Sequence, residues 1–498
     1  MEPSIKQLGA FFNPSSVAVV GVAKEIDKAG HVIFKNFIEN RRRRVFKGQL
    51  FAVNPHEQSV LGFRCYPSLT DIPGEVELIV IVVPAKAVPQ IMKDAATKNV
   101  KVAVIISSGF GEVGNHELEN EVKAIAKTAG IRVLGPNCLG VYDSETGVDM
   151  LFLPETKLLT TGQEVVATPR PMPGNIAIVT QSGAFGAAAL DYLAGIHVGV
   201  SKFVSFGNKI DVDEAEMLSY LLRDRRTNVI LLYVEDIKNG REFLKVAKEV
   251  TKKKPVVALK TGRTKEGARA AASHTGAIAG SDKIYDAAFK QVGIIRAQDM
   301  DEFFHAGNAL AMQLPAKGKN VGIITDAGGP GIMAVDECGL RGLAVKRLSG
   351  ETVEKFDKLK QEGRLPAFAS TINPIDITGS GTSEMFELSA EIVFQDPEIH
   401  GIILLGLHHM PALQEDYIDG VAKIASNYSK PIVTCDIGET EMALNTRLRF
   451  DKLGIPSYSS PEDAVRGLDA LVKYGLYLVK NNCLQEYEQI FMKNKLKR

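Results

Sequence analysis

The chain has 498 residues, too many for one hydrophobic core, so we expect several domains. Its 59 basic and 59 acidic residues cancel, which argues against nucleic acid and acidic lipid as partners. The N-terminal stretch MEPSIKQLGAFFNP lacks the apolar core of a signal peptide, and no apolar run is long enough to span a membrane, so we expect a cytoplasmic protein. The five cysteines form no CxxC pair, which argues against a metal site and against a disulfide framework.

Short apolar runs rich in β-branched residues, each followed by a helical pattern, are typical of parallel α/β domains. None of the runs alternates with polar residues, so we expect the sheet to be covered on both faces. In the first part of the chain they lie at 16–21, 49–54, 78–83, 102–107 and 132–135. These runs predict a Rossmann-like domain over residues 1–145.

A glycine-rich turn follows the first of these runs. Gly21 and Ala23 would let the backbone approach a phosphate, but GxGxxG is incomplete and the second run ends in Asn54-Pro55 instead of an acid. These departures fit a phosphorylated adenine carrier other than NAD. Coenzyme A (CoA) is such a carrier, because an acid at the end of the second run would repel its 3′-phosphate and the sequence has none at that place. The alternative is a tight turn without a ligand.

The run Arg41-Arg42-Arg43-Arg44 is a local exception to the balanced charge. Two interpretations stay open: a solvated loop face, or a patch that steers anions.

A duplication begins after about residue 145. The segment 175–191 matches 320–336, 228–236 matches 401–409, and 254–262 matches 430–438, all in the same order. We infer two copies of one doubly wound, flavodoxin-like domain. The copies span residues 146–312 and 316–480, with 314–319 as their linker and 481–498 as a charged tail, either helical or frayed.

Each copy has a glycine-rich turn at the start of a helix, where unpaired N–H groups and the helix dipole attract anions. In TQSGAFG (180–186) the candidate phosphate-binding residues are Ser182, Gly183 and Ala184, and in TDAGGPG (325–331) they are Gly328 and Gly329. As twins, the two turns could face each other across one phosphate.

His274 stands in a stretch of small residues that is typical of a mobile loop, and the second copy has no counterpart. A bare imidazole can carry a phosphoryl group on nitrogen, provided that a carboxylate steadies its other nitrogen. Glu235, which ends the run LLYVED, is the candidate, with Asp236 as the competing choice. In the second copy the place that matches Glu235 holds His408, so the fold itself does not require an acid there.

Together these motifs resemble one family over residues 8–475: the α subunit of ADP-forming acyl-CoA synthetases of the acetyl-CoA type, relatives of succinyl-CoA synthetase. The motifs that carry the resemblance are FFNPSSVAVVG, FAVNP, IVIVVPAKAVPQ, VIISSGFGE, LGPNCLGV, IVTQSGAFG, SFGNKIDVDE, KTGRTKEGARAAASHTGAIAGSDK and TDAGGPGIMAVDE.

The resemblance implies a reversible reaction in which acyl-CoA, ADP and phosphate give a carboxylic acid, CoA and ATP. Phosphate cleaves the thioester, the acyl phosphate phosphorylates His274, and Glu235 supports that histidine. The phosphorylated segment then reaches ADP and Mg²⁺ on an ATP-grasp module. No such module is visible here, so the resemblance implies a separate β subunit in an α₂β₂ assembly. The residues that it implies for CoA are Gly21, Val22, Ala23, Lys24, Lys28, Val83, Pro84 and Ala85.

Two other functions remain open at this point: a CoA-binding regulatory or scaffold protein without catalysis, and an NAD-linked oxidoreductase. The acyl group cannot be inferred from the sequence. The stretch 158–174 looks longer than the family's usual connection, and we expect a surface loop there, although it could border an acyl pocket.

Overall fold

The computed structural model describes residues 3–275 and 281–495, without the side chains of Pro3 and of residues 271–275. The chain divides into two compact units, Met1–Thr251 with Ala258–Ile294, and Lys252–Val257 with Ile295–Arg498. In the described part of the chain, no helix combines the length and the apolar character needed to cross a membrane.

The first sheet has the strand order of a dinucleotide-binding fold, β3-β4-β2-β1-β5-β6-β7, with every pair parallel except β3–β4. The five predicted runs form β1, β2, β5, β6 and β7, and apolar residues cover both faces. The strands are β1 (Ser16–Val20), β2 (Gln49–Val53), β3 (Ser59–Val60), β4 (Phe63–Tyr66), β5 (Leu78–Ile81), β6 (Val102–Ile105) and β7 (Arg132–Leu134). The helices are α1 (Pro3–Gln7), α2 (Ala29–Arg42), α3 (Val88–Thr97) and α4 (His116–Ala129), with 3-10 turns at Leu8–Phe11, Ala85–Ala87 and Gly111–Val113.

A second sheet completes the first unit, with a parallel centre in the order β13-β12-β14 and β8 pairing antiparallel to β13. Its strands are β8 (Val141–Asp143), β9 (Val148–Asp149), β12 (Pro173–Thr180), β13 (Val200–Ser205), β14 (Val229–Val234) and β15 (Val256–Lys260). The separate strands β10 (Thr156–Leu158) and β11 (Glu164–Val166) form an antiparallel hairpin. The helices are α5 (Gly183–Gly195), α6 (Glu214–Arg223), α7 (Gly240–Thr251), α8 (Lys265–Thr275) and α9 (Asp282–Val292).

The second unit contains the third sheet, whose strands follow the flavodoxin order β19-β17-β20-β21-β22, with β18 at the edge. The unit begins with β16 (Ile295–Ala297), which is not part of this sheet. The strands of the sheet are β17 (Val321–Thr325), β18 (Ser370–Thr371), β19 (Ile375–Asp376), β20 (Gly401–Leu405), β21 (Ile432–Cys435) and β22 (Ser457–Tyr458). The helices are α10 (Met300–Met312), α11 (Gly328–Leu340), α12 (Gly350–Gln361), α13 (Ser383–Gln395), α14 (Tyr417–Ala425), α15 (Glu441–Lys452), α16 (Pro461–Lys480) and α17 (Leu484–Lys495).

Three segments are more ordered than the sequence suggested. The stretch 158–174 contains most of the β10–β11 hairpin, whose strand residues are mostly exposed. The tail forms α17, which buries Tyr487 and Phe491 and is therefore not a frayed end. The segment 314–319 is packed inside the second unit, where the backbone N–H of Ala316 donates to the Leu471 carbonyl at 3.2 Å.

We expect Gly475→Ala to lower the free energy of unfolding by about 2–4 kcal/mol, because a Cβ at Gly475 in α16 would overlap the Ala316 carbonyl oxygen. Gly339→Ala in α11 is the matched control. Apart from its chain neighbours and the backbone of its own helix, no described atom comes within 4 Å of its Cβ position, so the helix should gain about 0.5–1 kcal/mol. Urea denaturation measures both changes, and equal effects of the two substitutions would contradict the packing described here.

Candidate functional site

The predicted site residues follow strands that flank the point where each sheet reverses its strand order. Gly21 follows β1 and Val83 follows β5; Ser182 follows β12 and Glu235 follows β14. In both sheets the strand that follows β1 or β12 in the chain lies on one side of it, and the later strands lie on its other side. Ligands of open parallel sheets bind at the carboxyl ends of the strands at this switch point.

The turn after β1 can only be made with glycine. Gly21 has a φ of +99°, and a Cβ there would overlap the carbonyl oxygen of Val82. A Cβ at Gly30, in the first turn of α2, would overlap the Gly21 carbonyl oxygen. The two glycines therefore bring the start of α2 against the turn, which is what a phosphate-binding turn requires.

The remaining residues of this turn are held by side chains from the neighbouring strand and helix. The Asn54 amide donates to the Val22 carbonyl at 2.7 Å, and Nδ1 of His31 lies 3.0 Å from the Ala23 carbonyl. Lys24 forms an ion pair with Glu57. Lys28 is exposed at the N-cap position of α2.

The second predicted CoA turn lies beside the first, because β1 and β5 pair in parallel with Val20 opposite Ile81. The Val83 N–H donates to the Ser107 hydroxyl at 3.1 Å, and Pro84 and Ala85 lead into a 3-10 turn. The fold therefore brings together the two turns that the family resemblance assigned to CoA.

The predicted phosphate turn of the first copy opens into a cavity of about 540 Å³. Ser182 caps α5 by accepting the Phe185 N–H at 3.2 Å, and Gly183 and Ala184 form the first helical residues. Free N–H groups at a helix start attract an anion. Residues from the start of α2 and from the segments that follow β6 and β14 complete the cavity. Its lining includes Ala29, Ile106, Glu112, Leu139, Phe152, Ser182, Gly183, Ala184, Glu235 and Asp236.

Glu235 and Asp236 are fixed by one glutamine. The Gln181 side-chain oxygen accepts the backbone N–H groups of both residues, and its amide donates to Asp236 at 2.6 Å. Lys209, which is buried, lies 3.1 Å from Asp236 and 2.6 Å from the buried Glu214. Burial alone would raise the pKa of Asp236, but Lys209 and Gln181 together hold that pKa below its usual value.

This arrangement separates the two candidate acids. Asp236 is engaged by Gln181 and Lys209, so its carboxylate has a structural role. Glu235 lines the cavity, and its Oε1 lies 3.5 Å from the Tyr233 hydroxyl. Cys138 also lines the cavity, but burial raises the pKa of its thiol to about 12, so it is not a nucleophile there.

His274 lies in α8, so its segment is helical where the sequence suggested a loop; its side chain falls outside the described residues. The alanines among these small residues explain the difference, because alanine has the highest intrinsic helix propensity. Helix α8 packs against the 3-10 turn Gly111–Val113, whose Glu112 lines the cavity.

The second copy presents a different charge at its helix start. Gly328 and Gly329 begin α11, and a Cβ on Gly328 would lie 3.1 Å from an Asp376 carboxylate oxygen. Asp326 accepts the Leu407 N–H at 3.1 Å, and burial, with the nearby Asp436 and Asp376, raises its pKa to about 7.

The position that matches Glu235 is Leu407, and His408 matches Asp236, so the earlier alignment was wrong by one residue. Thr180 pairs with Tyr233, whereas the equivalent Thr325 pairs with Leu405. The offset is present from the first residue of the strand, because Ile176 pairs with Val229 and the equivalent Val321 pairs with Gly401, which the sequence alignment had matched with Asn228. His408 Nδ1 lies 2.7 Å from Asp436.

Sequence reasoning missed Gln181, Lys209 and Asn208 as parts of the site. The Asn208 amide joins Glu112 at 2.6 Å and Glu119 at 2.8 Å, and so links the first sheet to the cavity. The motif SFGNKIDVDE, which contains Asn208 and Lys209, was the available signal. Its chemistry appears only when the fold places Lys209 beside Asp236.

Three family models match the chain. A CoA binding domain matches residues 15–144, a succinyl-CoA ligase like flavodoxin domain matches 173–310, and a ligase-CoA domain matches 321–475.

The chain is also similar along its whole length to named proteins. The α subunit of acetate–CoA ligase [ADP-forming] II from Pyrococcus furiosus is 38% identical over 94% of this chain and 97% of its own length. The acetate–CoA ligase [ADP-forming] of Methanocaldococcus jannaschii is 36% identical over 96% of this chain but only 64% of its own length. Acetyl-coenzyme A synthetase 1 of Ca. Korarchaeum cryptofilum, solved with phosphate and ADP, is 34% identical, with a TM-score of 0.84 over 95% of this chain and 98% of that one.

We expect Asp326→Asn to stabilise the chain at pH 8 by about 2 kcal/mol more than at pH 5. The pKa of Asp326 is raised to about 7, so the folded chain keeps a proton that the unfolded chain loses between about pH 4 and 7, and stability falls as the pH rises through this window. Asn keeps an acceptor for Leu407 without the charge.

Urea denaturation at both pH values measures this difference. Asp357→Asn, an exposed acid on α12, is the control and should show no pH-dependent gain. If Asp326→Asn raised the free energy of unfolding equally at pH 5 and pH 8, the raised pKa of Asp326 would be contradicted.

Proposed function

Because the chain belongs to the α subunits of ADP-forming acetate–CoA ligases, a family of acid–thiol ligases, we propose that it uses His274 as a phosphoryl carrier. The family and the α/β fold class implied by the motifs are confirmed. The reaction converts acyl-CoA, ADP and phosphate to a carboxylic acid, CoA and ATP. The observation that carries the proposal is a single cavity bordered by the starts of α2 and α5 and by Glu235.

CoA binds across the first switch point in this account. The turns Gly21–Lys24 and Val83–Ala85 are adjacent. Because Gly21 has no side chain, the backbone of the first turn is open to a phosphate of CoA. Exposed Lys28 at the start of α2 contributes a cation for a phosphate of CoA, and the helix N-terminus adds its dipole. Asn54, which replaces an acid at the end of β2, holds the Val22 carbonyl and brings no negative charge.

Thioester cleavage takes place in the cavity. Phosphate held at the N–H groups of Ser182, Gly183 and Ala184 attacks the thioester carbon, and CoA leaves as its thiolate. The acyl group of the resulting acyl phosphate lies along the apolar part of the wall, which includes Leu139 and Phe152. The helix dipole of α5 stabilises the negative charge on phosphate.

The acyl phosphate then transfers its phosphoryl group to His274 and releases the carboxylate. Glu235 steadies the imidazole by accepting a hydrogen bond from the ring nitrogen that is not phosphorylated, which also stabilises the cation. The contact of α8 with the turn that carries Glu112 supports an approach of this helix to the cavity. The glycine-rich turn at Gly328 and Gly329 is the second candidate phosphate site.

We propose that the nucleotide step takes place on another protein component. Relatives named as α subunits match this chain along almost their whole length, whereas in the single-chain relative of M. jannaschii the match covers 64% of the protein. We propose that a β subunit with an ATP-grasp fold supplies ADP and Mg²⁺, in an α₂β₂ assembly. Phosphohistidine gives its phosphoryl group to ADP there, which regenerates His274.

Incubation with acetyl-CoA and radiolabelled phosphate should label the wild-type chain with an acid-labile, base-stable phosphoryl group. His274→Ala should carry no such label, because the accepting nitrogen is gone. His116→Ala, an exposed histidine at the start of α4, is the matched control and should be labelled like the wild type. Full labelling of His274→Ala would exclude the assignment.

Glu235→Gln should slow the labelling of His274 by about 100-fold, because an amide cannot stabilise the imidazolium that forms during transfer. The measurement is the single-turnover rate with the same radiolabelled phosphate. Glu242→Gln on α7, an exposed acid, serves as the control. A variant with the wild-type rate would remove Glu235 from the mechanism.

Lys28→Ala should raise the Kd for CoA by about tenfold, which corresponds to the loss of one charge-assisted hydrogen bond. Isothermal titration of CoA measures it. Lys35→Ala, on the same helix but paired with Glu39, is the control and should leave the Kd unchanged. A similar loss in both variants would indicate a general charge effect instead of a contact.

A further inference from the structure

A second cavity, of about 730 Å³, lies in the first unit at the amino ends of the parallel strands of the second sheet. Its lining includes Lys202, near the amino end of β13, and Arg226, which precedes β14. Ser182 and Glu235 follow the carboxyl ends of the neighbouring strands β12 and β14. A ligand in this cavity would therefore not compete with substrates at the switch point.

The floor of this cavity is a paired ion network. Arg226 donates to both oxygens of the buried Asp143, at 2.5 and 2.9 Å, and lies 2.6 Å from Glu145. Lys202 Nζ lies 3.1 Å from Asp143 and 3.0 Å from Asp224. Two cations and three carboxylates leave the floor with one negative charge and a fixed geometry.

The rim carries cations that this network does not use. Lys47, Arg223 and Arg225 line the cavity and are exposed. Lys47 and Arg225 have no carboxylate partner among the described residues, and Arg223 bonds the oxygens of Ser219 one turn earlier in α6. The three cations of the rim outweigh the single negative charge of the floor, so the cavity has a net charge of +2.

Further basic residues raise the local potential. The run Arg41–Arg44 ends α2 and leads directly into Val45, which lines the cavity. Its four side chains are exposed, and none has a carboxylate partner in the part of the chain that the structure describes. An uncompensated cluster of this kind attracts anions over about one Debye length.

We propose that this cavity binds the diphosphate group of a phosphorylated metabolite. Arg223 and Arg225 offer planar forks that match phosphate oxygens, and Lys47 adds a point charge. The net charge of the cavity fits a ligand with two or more negative charges. Tyr220, stacked on Phe12 with ring centroids 4.9 Å apart, gives one wall an aromatic surface beside the charged rim. The diphosphate can come from a nucleotide or from free pyrophosphate, and the volume admits either.

The test titrates ADP and pyrophosphate, in separate experiments, into the full-length chain by calorimetry at low salt. We expect saturable binding that weakens as salt rises, with Kd raised about tenfold by Lys47→Ala and by Arg225→Ala. Both side chains are exposed, and circular dichroism verifies that the variants fold. Lys127→Ala, an exposed cation on α4, should leave Kd unchanged.

Lys28→Ala separates this site from the proposed CoA site, because ADP shares chemistry with CoA. Binding that survives Lys28→Ala but is lost in Arg225→Ala supports the proposal. Tighter binding of ADP than of pyrophosphate identifies a nucleotide, and equal binding identifies the diphosphate alone. Absence of saturable binding, or binding that depends on Lys28 and not on Lys47 and Arg225, would overturn it.

Discussion

The carboxyl ends of parallel strands meet at one edge of a sheet, and this constraint places every proposed step of the chemistry. A switch in strand order opens a crevice at that edge, and the helix starts that follow the strands present N–H groups there. In the first unit two such crevices, one after β1 and β5 and one after β12 and β14, contribute to the same region through Ala29 and Ser182. This shared region is the basis of our proposal that a thioester from one crevice meets a phosphate from the other.

The residues that follow the first strand differ in charge between the two copies of the duplicated fold. In the first copy the polar residue after the strand is Gln181, which holds two N–H groups without adding charge. In the second copy the equivalent residue is Asp326, whose pKa burial raises to about 7, with Asp376 and Asp436 nearby. The helix start of the first copy therefore has a neutral amide where the second copy has an acid, and the second becomes less repulsive to anions when Asp326 is protonated.

The sequence predicted what depends on local pattern. Apolar runs located the strands of the first sheet, and glycine turns located the helix starts, because Gly21 has to adopt a conformation that other residues avoid. It could not predict contacts between distant segments, such as Lys209 with Asp236, because no local pattern records them. The one-residue error at His408 has the same origin, since the register of β14 and β20 is set by pairing with the neighbouring strand, which the sequence alone does not show.

The most direct measurement is a crystal structure of the full-length chain with CoA. We expect the adenosine phosphates of CoA to bind at the turns after β1 and β5. We expect its thiol sulfur to lie inside the 540 Å³ cavity, near the N–H groups of Ser182 and Gly183. CoA bound with its sulfur outside that cavity, away from Glu235, would contradict the claim that both crevices serve one reaction.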